Sequence, residues 1–198
     1  MLAQNKEGNT AWQVAAGRCH SEVLQKLWVW AKEAKLNRKE LRNKLLLVRD
    51  RYGDTAWHQA ALRDSLETLE ILWSWAKEEQ LQADEFLEMQ NNERETAFHM
   101  AAQGNHVAIL QKLCFWAAAH WSPKELQNKL LLTKDEYGNT AWHRAAENGN
   151  LRALEILWGW SKKTQLNPYE LLLAQNEEGN TDWQVAARGG HLDVLQKL

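Results

Sequence analysis

One twelve-residue stretch constrains this chain more than anything else in it, because it occurs five times. Its clearest copy is Asp135-Glu-Tyr-Gly-Asn-Thr-Ala-Trp-His-Arg-Ala-Ala146, and related stretches begin at Asn5, Asp50, Asn91 and Asn176. Each reads as a polar turn, then a helix start, then paired alanines small enough to let another backbone come close. Recurrence at a near-constant interval predicts units that bury their apolar faces on one another rather than in one central core. The turn threonines Thr10, Thr55, Thr96, Thr140 and Thr181 stand 45, 41, 44 and 41 residues apart. Copies taken two apart agree within a residue. Odd copies open on Asn and carry Leu-Gln-Lys-Leu in the next helix; even copies open on Asp and carry Leu-Glu-Ile-Leu. The duplicated unit reads as a pair of repeats.

Three helices are expected per copy. The first starts at the turn, with Asn139 or Thr140 as cap in the fourth copy. It ends at a left-handed position held by Cys19, Asp64, Asn105, Gly149 and Gly190. Gly, Asn and Asp accept that conformation and Cys does not readily. Cys19 is therefore strained or sits in a reshaped turn, and the reshaped turn is the expectation. The second helix is the apolar one, as in Thr68-Leu-Glu-Ile-Leu-Trp-Ser-Trp-Ala76. Residues i and i+2 lie about 200° apart on a helix, so Trp73 and Trp75 cannot share a face. One should pack within its repeat and the other on a neighbour or the third helix. Capping boxes at Ser122-Pro-Lys-Glu125 and Asn167-Pro-Tyr-Glu170 announce the third helix, with Asn37–Glu40 and Gln82–Glu85 as variants. Odd copies are four residues longer here, which predicts a third helix one turn longer with its apolar face little rotated.

The turn-helix stretches resemble ankyrin repeats. Asp135, Gly138, Thr140, His143, Ala145, Ala146 and Gly149 match the family pattern, as do Asp50, Gly53, Thr55, His58, Ala60 and Ala61. His20, His106 and His191 match its later histidine in odd copies. The departures are Ala for the usual Pro (Asp182 in the last copy), Trp or Phe for Leu, Gln13 and Gln184 for His, and Arg94 for the turn Gly. The repeats also exceed the usual ~33 residues. The resemblance implies an all-α, ankyrin-like repeat solenoid of helix-turn-helix units, each with an extra short helix before a projecting finger or hairpin. Repeats at about 5–49, 50–90, 91–134, 135–175 and a partial 176–198 would form one array, read as part of a longer one. The last helix should be its least stable part.

Catalytic, metal and cofactor sites are not expected. His58, His99 and His143 fill a slot where the resemblance implies hydrogen bonding to the turn threonine. No His-x-x-x-His or Cys-x-x-Cys spacing occurs. Eleven of the twelve tryptophans keep the repeat register, which is what core packing demands; Trp121 is out of register and is the better candidate for an exposed contact. A formal net charge of −2 gives no basic footprint for nucleic acid. No apolar run reaches the ~18 residues of a membrane span. Two distant cysteines fit an intracellular, cytoplasmic setting.

What the resemblance implies is a non-enzymatic, monomeric scaffold that binds another protein on the concave surface of fingers and first helices. The fingertip candidates are Lys6, Glu7, Arg51, Tyr52, Asp54, Asn92, Glu93, Arg94, Glu136, Tyr137, Glu177 and Glu178. Those after the paired alanines are Arg18, Leu62, Arg63, Gln103, Glu147 and Arg188. The alternatives are a spacer within a larger protein and a Trp-lined site for a modified peptide or small ligand.

Overall fold

The computed structural model describes residues 3–197. Copy 1 forms α1 (Ala11–Gly17), α2 (Ser21–Glu33) and α3 (Arg38–Leu41). Copy 2 forms α4 (Ala56–Leu62), α5 (Leu66–Glu78) and α6 (Ala83–Leu87). Copy 3 forms α7 (Ala97–Gln103), α8 (Val107–His120) and α9 (Pro123–Leu126). Copy 4 forms α10 (Ala141–Glu147), α11 (Leu151–Lys163) and α12 (Pro168–Leu172), and copy 5 forms α13 (Asp182–Gly189) and α14 (Leu192–Lys197). The chain is all-α, with no strand among the described residues. The fingers are tight turns, and one isolated antiparallel bridge joins Gln4 to Thr10. Two compact units are present, Met1–Asn92 and Glu93–Leu198.

Stacking within each unit follows from the small residues. In the first unit α1 packs on α4 and α2 on α5; in the second α7 packs on α10, α10 on α13 and α8 on α11. Ala15, Ala16, Ala60, Ala61, Ala101, Ala102, Ala145 and Ala146 are buried between these helices. All five first helices open with a reciprocal capping box in which Thr and the side chain three residues on satisfy each other's backbone N–H. In the fourth copy Thr140, not Asn139, is the cap.

The tryptophans divide as their helical spacing requires. Trp73 packs inside its own repeat, on Trp57 of α4 and Phe86 of α6. Trp75 faces the other way and meets Trp28 and Trp12 of copy 1.

Four expectations need correction. Cys19 does not reshape its turn: its φ of 57° is the left-handed value also held by Asp64 and Asn105. Docking of α1 against α2 imposes the turn, and Cys19 carries the strain. The longer odd copies do not extend an α-helix. α3 and α9 run into single π-helical turns, Arg42–Leu46 and Gln127–Leu131, closed by Leu47 N–H to Arg42 and Leu132 N–H to Gln127. The wider turn leaves fewer degrees between neighbours, so Leu45 with Leu46, and Leu130 with Leu131, are both buried. Asn167 caps α12 through Tyr169 N–H and makes no box with Glu170. Trp121 is 5% exposed, not a surface contact. It fills the place of Leu36, Leu81 and Leu166 just before the third helix. Copy 3 lacks the left-handed residue found there as Lys35, Gln80 and Gln165, so α8 runs on and turns Trp121 inward.

Candidate functional site

The histidine slot holds each repeat to its finger. Thr55, Thr96 and Thr140 present N–H and hydroxyl to Nδ1 of His58, His99 and His143. The Nε2 atoms lie 3.0, 3.0 and 3.1 Å from the carbonyls of Met89, Thr133 and Ala174. A carbonyl only accepts, so Nε2 donates and Nδ1 accepts, which requires neutral rings. Burial first, then the nearby Arg144 charge, holds the His99 imidazole down at about 4, although Asp135 and the Thr133 carbonyl oppose the shift. Burial also lowers His143. Gln13 reproduces the arrangement without a titratable group. Its Oε1 accepts from Thr10 N–H, and its Nε2 donates to the Asp54 and Val48 carbonyls. These residues are framework. Among the described residues no group of three or more His, Cys, Asp or Glu could hold a metal ion, and no helix is long and apolar enough to cross a membrane.

The fingers join edge to edge through backbone hydrogen bonds. Asn92 N–H donates to the Tyr52 carbonyl, Glu136 N–H to Glu93 and Glu177 N–H to Tyr137, at 2.8–3.0 Å. In the fingers that open on Asn5, Asp50, Asp135 and Asn176 the first side chain folds back: Asp135 Oδ1 accepts from Tyr137 and Asn139 N–H at 2.9 Å each. Arg94 takes φ 58° where the other fingers place glycine, so the third finger keeps its turn at the cost of a strained residue.

This scaffold leaves most of the nominated side chains outside. In the first unit Lys6, Glu7, Arg18, Arg51, Tyr52, Arg63 and Asn92 are exposed and Leu62 is half-buried. Tyr52 is half exposed, with the Arg51 guanidinium over its ring and hydrogen-bonded to its hydroxyl. Asn92 is tied to the Arg51 carbonyl. Asp54 leaves the exposed set. It is buried and accepts from Gln59 and Asn91 side chains, because its position faces the next finger rather than solvent.

In the second unit Glu93, Arg94, Gln103, Tyr137, Glu147, Glu177, Glu178 and Arg188 are exposed and Glu136 is half-buried. Here five of them converge. Tyr137, Glu147, Glu177, Glu178 and Arg188 line a groove of about 380 Å³ between the fingers and first helices of copies 4 and 5, with Asn139, Arg144, Asn176 and Val185. Arg188 pairs with Glu178 at 2.9 Å. A hydrogen bond from the Tyr137 hydroxyl to the Glu136 carboxylate, then the charges of Glu136 and Glu93, raise that phenol above its ordinary value.

Arg144 is a groove-lining residue that sequence reasoning missed. It makes a two-pronged pair with buried Asp135 at 2.7–2.8 Å, reaches Glu95 at 3.2 Å and sits 5.6 Å from the Tyr137 ring. Its signal was the position before the paired alanines, where the copies differ most in chemistry: Val14, Gln59, Met100, Arg144 and Val185. A second groove, of about 350 Å³, lies between α8 and α11 and includes exposed Phe115 and half-buried Gly159 and Trp160, with Lys163 4.3 Å from the Trp160 ring.

Comparison with curated proteins gave no match. The family model for ankyrin repeats matches residues 79–168 as three copies, within which lie the finger of copy 3, the finger of copy 4 and the helices that carry them. Residues 79–168 are therefore ankyrin repeats.

Proposed function

We propose that the chain is a non-enzymatic scaffold that holds a partner protein against its fingertips and first helices. Ankyrin repeats generally mediate contacts between proteins. The observation that carries the reading here is the groove between copies 4 and 5. Five side chains nominated from sequence meet there, drawn from two adjacent repeats, while the Thr, His, Trp and Ala around them are spent on stacking. Tyr137 offers an amphipathic ring of the kind enriched at binding hot spots. Glu147, Glu177 and Glu178 surround it with carboxylates that can select a partner by charge.

Peptides selected from a random displayed library on the full chain test this reading, and they should bind in solution. They should lose at least ten-fold in affinity to Tyr137→Ala and to the Glu177→Lys, Glu178→Lys pair. Lys26→Glu, on exposed α2, should leave them unchanged. Selected peptides that are insensitive to all these changes, and to charge reversal at the Arg51 fingertip and at Arg63 after the paired alanines, would overturn the assignment.

A further inference from the structure

The groove between α8 and α11 is a second interaction surface, built from second helices rather than fingers. Gln111 and Phe115 of α8 line it, with Glu155, Gly159, Trp160 and Lys163 of α11. It shares no residue with the groove between the fingers of copies 4 and 5.

The first unit shows what the same odd-to-even junction can hold. There Trp28 of copy 1 stacks on Trp75 of copy 2. The Lys32 ammonium pairs with Glu78 at 2.6 Å and Glu79 at 2.8 Å. In copies 3 and 4 both pairings lack members. Cys114 stands in the place of Trp28 and Ala118 in that of Lys32; Lys163 replaces Glu78 and Thr164 replaces Glu79. Trp160, the counterpart of Trp75, meets no other ring among the described residues, and Lys163 meets no carboxylate. The two have only each other, at 4.3 Å from ammonium to ring centroid. Phe115, in the place of Val29, is 64% exposed and also meets no ring among the described residues.

Geometry and charge together say what fits. Glu155, Gly159 and Lys163 stand four residues apart and form one stripe along α11. A Cβ at Gly159 would meet nothing within 4 Å, so the middle of the stripe is open backbone. One end carries the Lys163 cation and the other the Glu155 carboxylate, with Phe115 and Trp160 as apolar walls. Complementarity asks for a carboxylate at Lys163, a ring over Gly159 that can pack on the two walls, and an uncharged donor toward Glu155. Four helical residues advance about 6 Å. Alternate side chains on one face of an extended chain lie about 6.5 Å apart. A segment with amide, aromatic and acidic side chains at alternate positions therefore matches the stripe.

We propose that this groove binds an extended segment of another protein, with an aromatic side chain over Gly159 and a carboxylate two residues later on Lys163. The probe is the amidated peptide Gly-Gln-Ala-Trp-Ala-Glu-Gly, labelled with fluorescein and titrated into the full chain by fluorescence anisotropy, beside the same peptide with Lys for Glu. The acidic peptide should bind about ten-fold more tightly than the basic one, and Lys163→Glu should reverse that order. Gly159→Gln extends a side chain into the groove and favours helix, so it should weaken the acidic peptide about ten-fold without lowering the urea midpoint. Tyr137→Ala should leave that peptide unchanged, which separates this site from the finger groove. Absence of binding, equal affinity for the two peptides, full binding by the Gly159→Gln chain or loss with Tyr137→Ala would each overturn the proposal. So would self-association of the chain that Gly159→Gln abolishes, since a second copy would then be the occupant.

Discussion

Trp75 of copy 2 stacks on Trp28 of copy 1, ring centroids 4.7 Å apart and planes 14° from parallel. Trp12 closes the cluster at 5.3 Å from Trp75 and 5.9 Å from Trp28. Each ring comes from a helix position that a smaller apolar residue could fill. The tryptophans turn a repeat-to-repeat contact into a three-ring aromatic assembly.

Truncating that assembly should cost stability in proportion to burial. Trp75 is half-buried, so Trp75→Ala is expected to lose about 2 kcal/mol, below the range for fully buried aromatic truncations. Trp30, two residues beyond Trp28, is 49% exposed and touches only the Lys26 ammonium among the ring contacts seen. Trp30→Ala should cost about 1 kcal/mol or less. Urea unfolding monitored by far-UV circular dichroism separates the two. Equal losses would show that the stack carries no special weight.

Two side chains ill suited to left-handed backbone, neither Asn nor Asp, occupy positions that glycine fills in other copies. Arg94 stands at φ 58° in the place of Gly8, Gly53, Gly138 and Gly179, and Cys19 at φ 57° in the place of Gly149 and Gly190. The conformation costs an L-residue about 1–2 kcal/mol, and glycine returns part of that as backbone entropy. Arg94→Gly and Cys19→Gly should each stabilise by about 0.5–1 kcal/mol. A lower urea midpoint for either would contradict the strain argument.

His99 makes stability fall with acid. Its folded value of about 4 lies below the ordinary 6.5, so between these values the unfolded chain binds a proton that the folded chain refuses. Stability is therefore full above the unfolded value and is lost as pH falls from about 6.5 toward 4. The expected loss between pH 7 and pH 5 is on the order of 1–2 kcal/mol. His99→Gln, which places in copy 3 what Gln13 does in copy 1, should remove that part of the pH dependence. An unchanged slope in the variant would show that the proton is taken up elsewhere.

Asp182 acts in the opposite direction. It stands where other copies have alanine and accepts from the Trp142 indole N–H, but its Oδ1 is buried without a partner. Burial raises its carboxyl from 3.8 to about 6, against the Trp142 bond and the Asp182 and Trp183 backbone N–H, which oppose the shift. A folded value above the unfolded one means stability that is present at low pH and lost as pH rises through about 6. Asp182→Asn keeps an acceptor for Trp142 and carries no charge. At pH 7.5 it should stabilise copy 5 by on the order of 1 kcal/mol. Exchange rates of α13 amides at pH 5.5 and 7.5, corrected for intrinsic rates, report the effect.

Much of the fold was legible because it is local and repeated. The threonine caps, the small residues at the stacking faces and the opposed faces of Trp73 and Trp75 follow from residue type and helical period, and the structure places them accordingly. The candidate surface was legible as a set of exposed positions. Asp54 was the exception, since its carboxylate faces the next finger and not solvent.

The sequence by itself determined the recurrence of the turn-helix stretch, the alternating type of its copies, the helix starts at the threonines and the paired alanines at the stacking faces. Each of these is written in spacing and side-chain chemistry within one copy. Only the tertiary structure decided the rest. It turned the extra residues of odd copies into π-helical turns, drew Trp121 inward and held Cys19 and Arg94 in a conformation their side chains disfavour. It also brought Arg144 to Glu95 and gathered five candidates from two copies around one groove. These outcomes depend on which surface the neighbouring copy presents. That is a balance of burial, strain and charge across a junction, and no single repeat contains both sides of it.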